Sequence, residues 1–443
     1  MGKDADLAIY NAHPMNTFTR VETTIIDGEI YFDRSRAVSA MSDAAQQRTK
    51  TPPKWTFPAP SLRNLTLDLT PATGGSFVLA GATLHTCDDA LGEDGVIENG
   101  VLVVRNGVIA AVGPIGQVAV PRDLPLLNVR GLTITPGLFD SGTELGLTEI
   151  GKVSETQDYR ESGDLQPDLR AGIALNRDSE LIPVARAGGV THALIRPQGG
   201  LIAGQASVTK LSGWTAPEMV VELEAGLQIN WPRQFRFNPF DGGSSESDER
   251  LREQIDQLTE FLEEGRRYLA AIEAAGDDEL GPVPDPRFEA LGPYLRGEKP
   301  VFFEANTVRQ IAQSLAFAEK FSLKPIISGG ADAWKLADEL AEKNVPVIVG
   351  PVMRRPTEDH DPYDAPYANP ARLHDAGVLF CLHSDEASNS RNVPFEAAQA
   401  VAYGLPEEAA LRAITADAAK ILGVSDQAGT LSVGKRASLV IAD

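Results

Sequence analysis

The histidines and cysteines of this chain are the residue types that most often hold a transition metal, and their spacing argues against such a site. The six histidines show no HxH, HxxxH or HxxH pattern, and only His383 lies at the end of a predicted strand. Zinc favours nitrogen and sulfur ligands in a tetrahedral set. The two cysteines, Cys87 and Cys381, are not spaced as metal ligands either. Because Cys381 lies in the apolar run Val378–Leu382, we expect a buried free thiol there.

Three other patterns with known chemistry are incomplete. Ser141 and Ser384 have no His–Asp partners at motif spacing, so the sequence does not indicate a serine hydrolase. The glycine-rich segment 199–204 lacks the lysine and the helix of a P-loop, and it predicts a tight turn after a strand. Arg354 and Arg355 follow a predicted strand and could face an anionic ligand group, although such pairs are more often solvent-exposed.

The elements that would position these residues are indicated by two kinds of local pattern. Residues 77–129 are rich in strands, and Asn106-Gly107 between two β-branched runs predicts a hairpin. From Thr133 onward, short apolar strands alternate with helices, which is typical of βα units and a parallel sheet. In one predicted helix, Val308–Phe321, an apolar stripe is formed by Ile311, Leu315 and Ala318.

Several segments together resemble one superfamily. Residues 135–149 read TPGLFDSGTELGLTE, which is similar to the PG-(I/L/F)-D-x-H-x-H-(L/F)-G entry to the barrel of metal-dependent amidohydrolases. The segments 193–214 and 407–441 resemble the same proteins. The chain is therefore identified as resembling the amidohydrolase superfamily, in its imidazolonepropionase-like and dipeptidase-like branch. The resemblance implies an α/β fold, with a (β/α)₈ TIM-like barrel and a flanking small β-sandwich.

The same resemblance implies where the catalytic metals would bind. In intact members, the first barrel strand supplies two histidines, the fifth and sixth strands one each, and the eighth an aspartate that also takes a proton from water. The first-strand pair falls on Gly142 and Glu144, and the other two histidines fall on Glu304 and Gly329. Only the aspartate is matched, by Asp385. Asp385 is thus the candidate catalytic residue.

Three hypotheses follow from this altered ligand set. The first is a catalytically degenerate module that holds no metal, related to enzymes that hydrolyse C–N bonds in amides, cyclic amides or dipeptides. The second is an atypical hydrolase in which Glu144, Glu304 and Asp385 bind Mg²⁺ or Mn²⁺, because oxygen ligands suit these ions better than zinc. The third is a pocket that binds a small amide or peptide-like ligand without catalysis.

An internal repeat predicts the domain organisation. Residues 2–9, GKDADLAI, match residues 434–441, GKRASLVI, at five positions. We expect residues 1–34 to be the terminal strands of an upstream copy and residues 35–75 to be a linker. The second copy would comprise a first part of a β-sandwich (76–134), a barrel (135–425) and truncated return strands of the sandwich (426–443). The free strand edges predict head-to-tail self-association through the small β-domain.

Composition limits the partners. The 443 residues carry a formal net charge of −22, which argues against nucleic acid or an anionic membrane surface as a partner. No apolar run approaches the roughly 18 residues that a membrane helix requires, and residues 1–30 show no signal-peptide pattern. We therefore expect a soluble protein, and the sequence does not distinguish cytoplasm from periplasm.

Overall fold

The computed structural model describes residues 7–11, 21–26, 29–35, 75–92, 95–233, 244–275 and 281–442. The chain divides into two compact units, Met1–Ala59 and Pro60–Asp443. The predicted linker, 35–75, lies almost wholly outside the described residues. The domain boundaries drawn from the sequence stay predictions.

The first unit contains a small antiparallel sheet. Its strands are β1 (Leu7–Tyr10), β2 (Val21–Ile26) and β3 (Glu29–Asp33), and they pair in the order β1-β2-β3. The strand β2 pairs with β3 from Thr23 to Ile26, and two residues separate Ile26 from the start of β3. These two residues, Asp27 and Gly28, lie outside the described residues. That these strands end an upstream copy remains a prediction, as does head-to-tail self-association.

The second unit begins with a sheet whose strands follow one another closely in the chain. They are β4 (Phe77–His85), β5 (Val96–Arg105), β6 (Val108–Pro114), β7 (Leu126–Asn128) and β8 (Thr133–Pro136). The hairpin between β5 and β6 is confirmed, because Arg105 pairs with Val108 and the backbone φ angles of Asn106 and Gly107 are 51° and 74°. Positive φ at both central residues is the requirement of a type I′ turn.

A barrel-like sheet of eight strands follows. Its strands are β9 (Leu138–Thr143), β10 (Val190–Ile195), β11 (Ile202–Lys210), β12 (Val220–Asn230), β13 (Pro300–Ala305), β14 (Lys324–Gly329), β15 (Val347–Val349) and β16 (Phe380–Leu382). They pair in sequence order. Beyond β16 a single parallel bridge joins Asp385 to Thr143, and the Asp385 N–H donates to the Gly142 carbonyl at 3.0 Å. The sheet is therefore nearly closed.

The structure differs at one strand from the expected barrel of eight parallel strands. The strand β11 pairs antiparallel with both β10 and β12, whereas the other neighbouring pairs in the sheet are parallel. Only residues 196–201 separate β10 from β11. A parallel crossover needs a dozen or more residues, so this short connection can form only a hairpin. The predicted tight turn at 199–204 is consistent with this hairpin, since Gly199 and Gly200 both have positive φ.

Helices cover the outside of this sheet. Their bounds are α1 (Leu181–Ala187), α2 (Ala216–Met219), α3 (Ser244–Ala275), α4 (Pro286–Leu295), α5 (Val308–Lys320), α6 (Ala337–Glu342), α7 (Ala365–Asp375), α8 (Val393–Ala402), α9 (Glu407–Ala413) and α10 (Ala416–Ile421). The predicted stripe of α5 is confirmed, because Ile311, Leu315 and Ala318 are all buried. Thr307 and Gln310 begin α5 with a capping box. Of the described helices, none has the length and apolarity to cross a membrane.

After α10 the chain returns to the small sheet. The strand β17 (Leu439–Ala442) pairs antiparallel with β8, so that the sheet has the order β17-β8-β4-β5-β6, with β7 beside β4. Its apolar side chains, including Leu79, Leu102 and Ile134, form one buried cluster. The described residues of this region form a single six-stranded sheet, so the second layer of the expected β-sandwich stays a prediction.

The interior of the barrel is filled by one apolar layer. Every strand from β9 to β16 contributes to a buried cluster that includes Phe139, Leu194, Phe302 and Ile348. Residues of α10 and the segment after it belong to the same cluster. Cys381 of β16 is part of this layer and is a free, fully buried thiol, as predicted. Burial raises the pKa of this thiol to about 12, so the residue packs as a small apolar group.

Replacing Phe302 by alanine tests this layer. Phe302 is fully buried, and the substitution removes most of its side chain without a neighbour that can fill the space. We expect the free energy of unfolding to fall by about 3–5 kcal/mol, measured by urea denaturation. Phe395→Ala is the matched control, since Phe395 is 63% exposed, and its effect should stay within about 0.5 kcal/mol. Equal effects of the two variants would contradict the packing described for the barrel.

Candidate functional site

The candidate site lies where the parallel strands of the barrel end. Arg196 follows β10 directly, Glu304 is the fifth residue of β13, and Asp385 comes three residues after β16. Because β10, β13 and β16 run in the same direction, their carboxyl ends lie at the same end of the barrel. In barrels of this type that end carries the chemistry.

The Arg196 guanidinium joins the two predicted carboxylates. Its Nη1 donates to Glu304 Oε2 at 2.9 Å and to Ser328 Oγ at 2.6 Å, and its Nη2 donates to Asp385 Oδ1 at 3.0 Å. The Arg196 side chain is only 4% exposed, whereas the Asp385 side chain is 48% exposed. The triad is therefore closed toward the barrel interior and open toward solvent at Asp385.

Two glycines make room for this triad. A Cβ atom on Gly142 would lie 2.9 Å from Arg196 Nε and 3.0 Å from its Cζ. A Cβ atom on Gly329 would lie 2.7 Å from Glu304 Oε1 and 2.6 Å from Asn306 Oδ1, and Gly329 has a φ of +86°. The two positions that would carry metal-binding histidines are thus backbone surfaces against which the triad and Asn306 pack.

The positive charge of Arg196 balances the negative charges of the triad only in part. Burial alone would raise the pKa of Glu304. The Arg196 charge, the nearby His383 and hydrogen bonds from Ser328 and Asn306 outweigh that effect, so the pKa lies below its ordinary value. Glu304 is therefore an anion at neutral pH. With Arg196 as a cation and Asp385 as a second acid, the triad carries one excess negative charge when both acids are ionised.

His383 lies against this triad with an unsatisfied ring. Burial, followed by the positive charge of Arg196, lowers its pKa to about 4, against the opposing effect of Asp385 and Glu304. The imidazole is therefore neutral at pH 7. The Gly142 carbonyl lies beside the ring, but neither ring nitrogen forms a well-aligned hydrogen bond with a described residue. His383 lines the cavity described below, and its buried ring nitrogens keep hydrogen-bonding capacity that water or a ligand can satisfy.

The structure does not bring Glu144 into the triad. Its Oε2 accepts a hydrogen bond from Thr148 Oγ1 at 3.0 Å, and among the described residues it forms no ion pair with Arg196. Burial raises the pKa of Glu144, and the charge of Asp385 adds to this effect. Of the three predicted metal ligands, Glu304 and Asp385 are therefore joined through Arg196. Glu144 is bound instead to Thr148, four residues further along the chain.

This arrangement does not fit the binuclear centre expected from the superfamily. Within the described ranges, no three His, Cys, Asp or Glu side chains are grouped so that they could hold a metal ion. Gly142 and Gly329 offer no ligand atoms, and a guanidinium already lies between the two carboxylates. A divalent cation there would meet a like charge at close range. A Mg²⁺ or Mn²⁺ site made by Glu144, Glu304 and Asp385 stays a prediction, and it requires Arg196 to move.

Another buried acid, Asp140, links the first barrel strand to the segment that carries Asp385. Asp140, in β9, is fully buried and accepts hydrogen bonds from the Ser384 backbone N–H at 3.0 Å and from the hydroxyls of Ser384 and Ser390. Burial raises its pKa to about 6, although these hydrogen bonds oppose the shift. Asp140 therefore ties β9 to the segment that carries Asp385. Ser384 is bound to this acid and not to an imidazole, so no serine triad is present among these residues.

A cavity of about 650 Å³ opens above the triad. Its walls are mostly polar, and they include Gln228, Asn230, Trp231, Arg233, Asn306 and Arg354 together with the triad and His383. The Oε1 atom of Gln228 is buried and has no hydrogen-bond partner among the described residues. A cavity of this size matches the range for small-molecule sites, about 300–1,000 Å³.

Arg196 is the residue that sequence reasoning missed. Arg196 lies in the segment 193–214, which the sequence indicates only as part of the superfamily resemblance. The available signal is a charged residue directly after the apolar run Ala193–Ile195, at the end where barrel sites lie. Its partners are 108 and 189 residues away in the chain, and no local pattern reveals such a pairing.

Comparisons with known proteins agree with this architecture. The sequence profile of the amidohydrolase family matches residues 365–443. The amidohydrolase TasK of Hapsidospora irregularis is 24% identical over 370 residues, which cover 78% of this chain and 38% of that protein. The chain thus spans well under half the length of this curated relative.

Two solved structures are similar in fold. The crystal structure of an amidohydrolase from Thermotoga maritima MSB8 has a TM-score of 0.70 at 26% identity, covering 82% of this chain and 93% of that chain. Molinate hydrolase has a TM-score of 0.51 at 16% identity, covering 83% and 90%, and this similarity concerns the fold alone. The profile, the relative and the Thermotoga maritima structure are each described as an amidohydrolase.

The raised pKa of Asp140 predicts a specific pH dependence. Because the folded-state pKa of about 6 exceeds the ordinary value of 3.8, the folded state binds the proton more tightly. The resulting stabilisation is complete below about pH 4 and is lost as the pH rises through 6. We expect the unfolding free energy of the wild type, minus that of Asp140→Asn, to fall by about 3 kcal/mol between pH 4 and 7. A pH-independent difference would contradict the burial of an ionisable Asp140.

The close packing at Gly142 predicts the effect of adding one methyl group there. In Gly142→Ala the new Cβ would force the Arg196 guanidinium away from its partners, and we expect a loss of about 1–3 kcal/mol in unfolding free energy. Gly151→Ala is the matched control, because a Cβ at Gly151 meets nothing within 4 Å. Combination with Arg196→Ala should give less than the sum of the single effects. Strict additivity would show that the two residues are not in contact.

Proposed function

We propose that this chain, which is similar to amidohydrolases, is a catalytically degenerate member of their superfamily and binds a small amide- or peptide-like ligand in its barrel mouth. The main observation behind this proposal is the position of the Arg196 guanidinium. It lies between Glu304 and Asp385, two positions that bind metal ions in intact members of the superfamily. The hydrolysis of C–N bonds is the activity from which such a module would have descended.

The electrostatics of the triad support this proposal. A buried carboxylate such as Glu304 needs a compensating charge, and in this chain the protein supplies it as a guanidinium. The role that a metal cation has in holding inward-facing acids together is then already filled. Glycines at 142 and 329 remove the imidazole ligands and also provide the space that the guanidinium and Glu304 occupy.

The missing chemistry follows from the same residues. Metal-dependent hydrolysis relies on a bound water whose pKa the metal lowers to about 7. The triad offers no open coordination position for such a water, and Asp385 Oδ1 already accepts a hydrogen bond from Arg196. Asp385 would therefore act on the ligand as a hydrogen-bond acceptor, in place of the base role expected from the superfamily.

Two features of the cavity support the binding of a ligand. The cavity combines charged side chains with buried polar atoms that form no well-aligned hydrogen bond with a described residue, namely Gln228 Oε1 and both ring nitrogens of His383. Unpaired buried polar atoms are costly, and a ligand with complementary donors and acceptors would satisfy them. An amide group offers one donor and one acceptor close together.

The second candidate is a hydrolase with an all-carboxylate Mg²⁺ or Mn²⁺ site. The observation in its favour is the like-charge effect of Asp385 on Glu144, which contributes to the raised pKa of Glu144. A divalent cation bound near both acids would relieve this repulsion. The candidate requires that the guanidinium of Arg196 leave its present partners.

Metal analysis together with one substitution distinguishes these functions. We expect the purified chain to contain no stoichiometric zinc, manganese or magnesium after dialysis, and to show no turnover on amide and dipeptide panels. Arg196→Ala leaves Glu304 buried without its partner and should cost about 3–5 kcal/mol in unfolding free energy. Added Mg²⁺ or Mn²⁺ should raise the melting temperature of this variant and not that of the wild type.

The control is Arg105→Ala, which removes an ion pair with Asp123 whose side chains are 46% and 65% exposed. Its cost should be below about 1 kcal/mol, with no response to either ion. Two equivalents of zinc together with turnover would overturn the degenerate-module proposal. Stoichiometric manganese that is lost in Glu304→Ala would favour the all-carboxylate hydrolase.

A further inference from the structure

Arg354 is a guanidinium in the cavity wall that forms no ion pair with the described acidic residues. It lies on the segment after β15, is partly buried, and lines the same cavity as the Arg196 triad. Its Nη1 donates to Asn306 Oδ1 at 3.2 Å. Among the described residues, no carboxylate oxygen lies within 4 Å of it. Within the part of the chain that the structure describes, the side-chain partner of Arg354 is therefore a neutral amide.

The acids whose charges act on Arg354 are already paired with other cations. Glu304 and Asp385 line the cavity and both bind Arg196. Asp332 lies outside the lining of this cavity and binds Lys335 at 3.3 Å. A second arginine, Arg233, is exposed and lines the same cavity. Burial lowers the pKa of Arg354, and the charge of Arg233 adds to this effect, while Glu304, Asp385 and Asp332 oppose it. Because arginine stays protonated in proteins, Arg354 is a cation, and no described carboxylate lies within ion-pair distance of it.

An anionic ligand group would complete this part of the cavity. A planar guanidinium binds a carboxylate through two parallel hydrogen bonds, and desolvation strengthens such contacts. Glu304 and Asp385 lie close enough to Arg354 to influence its pKa. A dianionic phosphate bound to Arg354 would therefore be repelled by these two acids more strongly than a carboxylate with a single charge. Gln228 Oε1, on the wall of the same cavity, needs a hydrogen-bond donor such as an amide N–H.

We propose that Arg354, assisted by Arg233, binds the carboxylate of the ligand, and that the ligand class is N-acyl amino acids and peptides with a free C-terminus. This inference rests on the proposed ligand-binding function and adds the chemical class of the ligand. Arg196 and Arg354 then have separate roles in one cavity. Arg196 holds the protein's own acids, and Arg354 receives an acid from outside.

The test compares acids with their amides on the purified chain. The probes are a panel of N-acetyl-L-amino acids and the corresponding N-acetyl-L-amino acid amides, titrated by calorimetry. We expect the acids to bind at least ~10-fold more tightly than the amides, since a charge-assisted bidentate contact is lost in the amide. In Arg354→Met the affinity for the acids should fall by about 10- to 100-fold, with little change for the amides.

Arg355→Met is the matched control, because Arg355 is the exposed neighbour of Arg354 and does not line the cavity. It should bind both probe sets as the wild type does. Arg354→Lys keeps the charge without the planar fork and should give intermediate affinity for the acids, which guards against a folding defect in Arg354→Met. Thermal melts of all variants confirm that each is folded.

The outcomes separate this inference from the function on which it rests. If the wild type binds amides as well as acids, or if Arg354→Met binds acids as the wild type does, the carboxylate site is wrong and ligand binding stands. If the wild type binds neither probe set, the proposed ligand-binding function fails together with the inference.

Discussion

The contact between one buried guanidinium and two carboxylates is the constraint on which the barrel mouth depends. Arg196, Glu304 and Asp385 come from three strands at different positions around the sheet. A buried ion pair is favourable only when its geometry is good and its remaining donors are satisfied. Here Ser328 takes a further hydrogen bond from Nη1, and the two glycines at 142 and 329 allow the close approach of backbone and side chains.

The rest of the barrel keeps these strand ends in register. The interior layer, with Phe139, Phe302 and Cys381 among its members, fills the sheet below the site. Asp140 joins β9 to the segment after β16 by three hydrogen bonds, and the bridge between Thr143 and Asp385 closes the same gap. The contacts that close the sheet therefore also fix the position of Asp385. A barrel left open at this point would separate Arg196 from Asp385.

The cavity above the triad is asymmetric in charge. On one side Arg196 balances one of the two carboxylates that it binds, and on the other Arg354 and Arg233 line the cavity without acidic partners among the described residues. Both features agree with the proposed binding function. The guanidinium of Arg196 supplies the charge that buried acids require, and Arg354 supplies a group that can orient a ligand.

The sequence by itself determined the local elements and the absence of a histidine ligand set, because both depend on neighbouring residues. The stripe of α5, the turn at Asn106-Gly107 and the burial of Cys381 follow from short patterns. Superfamily resemblance indicated Glu304 and Asp385 as inward-facing acids. Only the tertiary structure decided that β11 runs antiparallel, because the six-residue connection that imposes this direction is apparent only once the bounds of β10 and β11 are known. It also decided that Arg196 joins the two acids and that Glu144 does not, because closure of the sheet brings distant residues together and no local pattern encodes that distance.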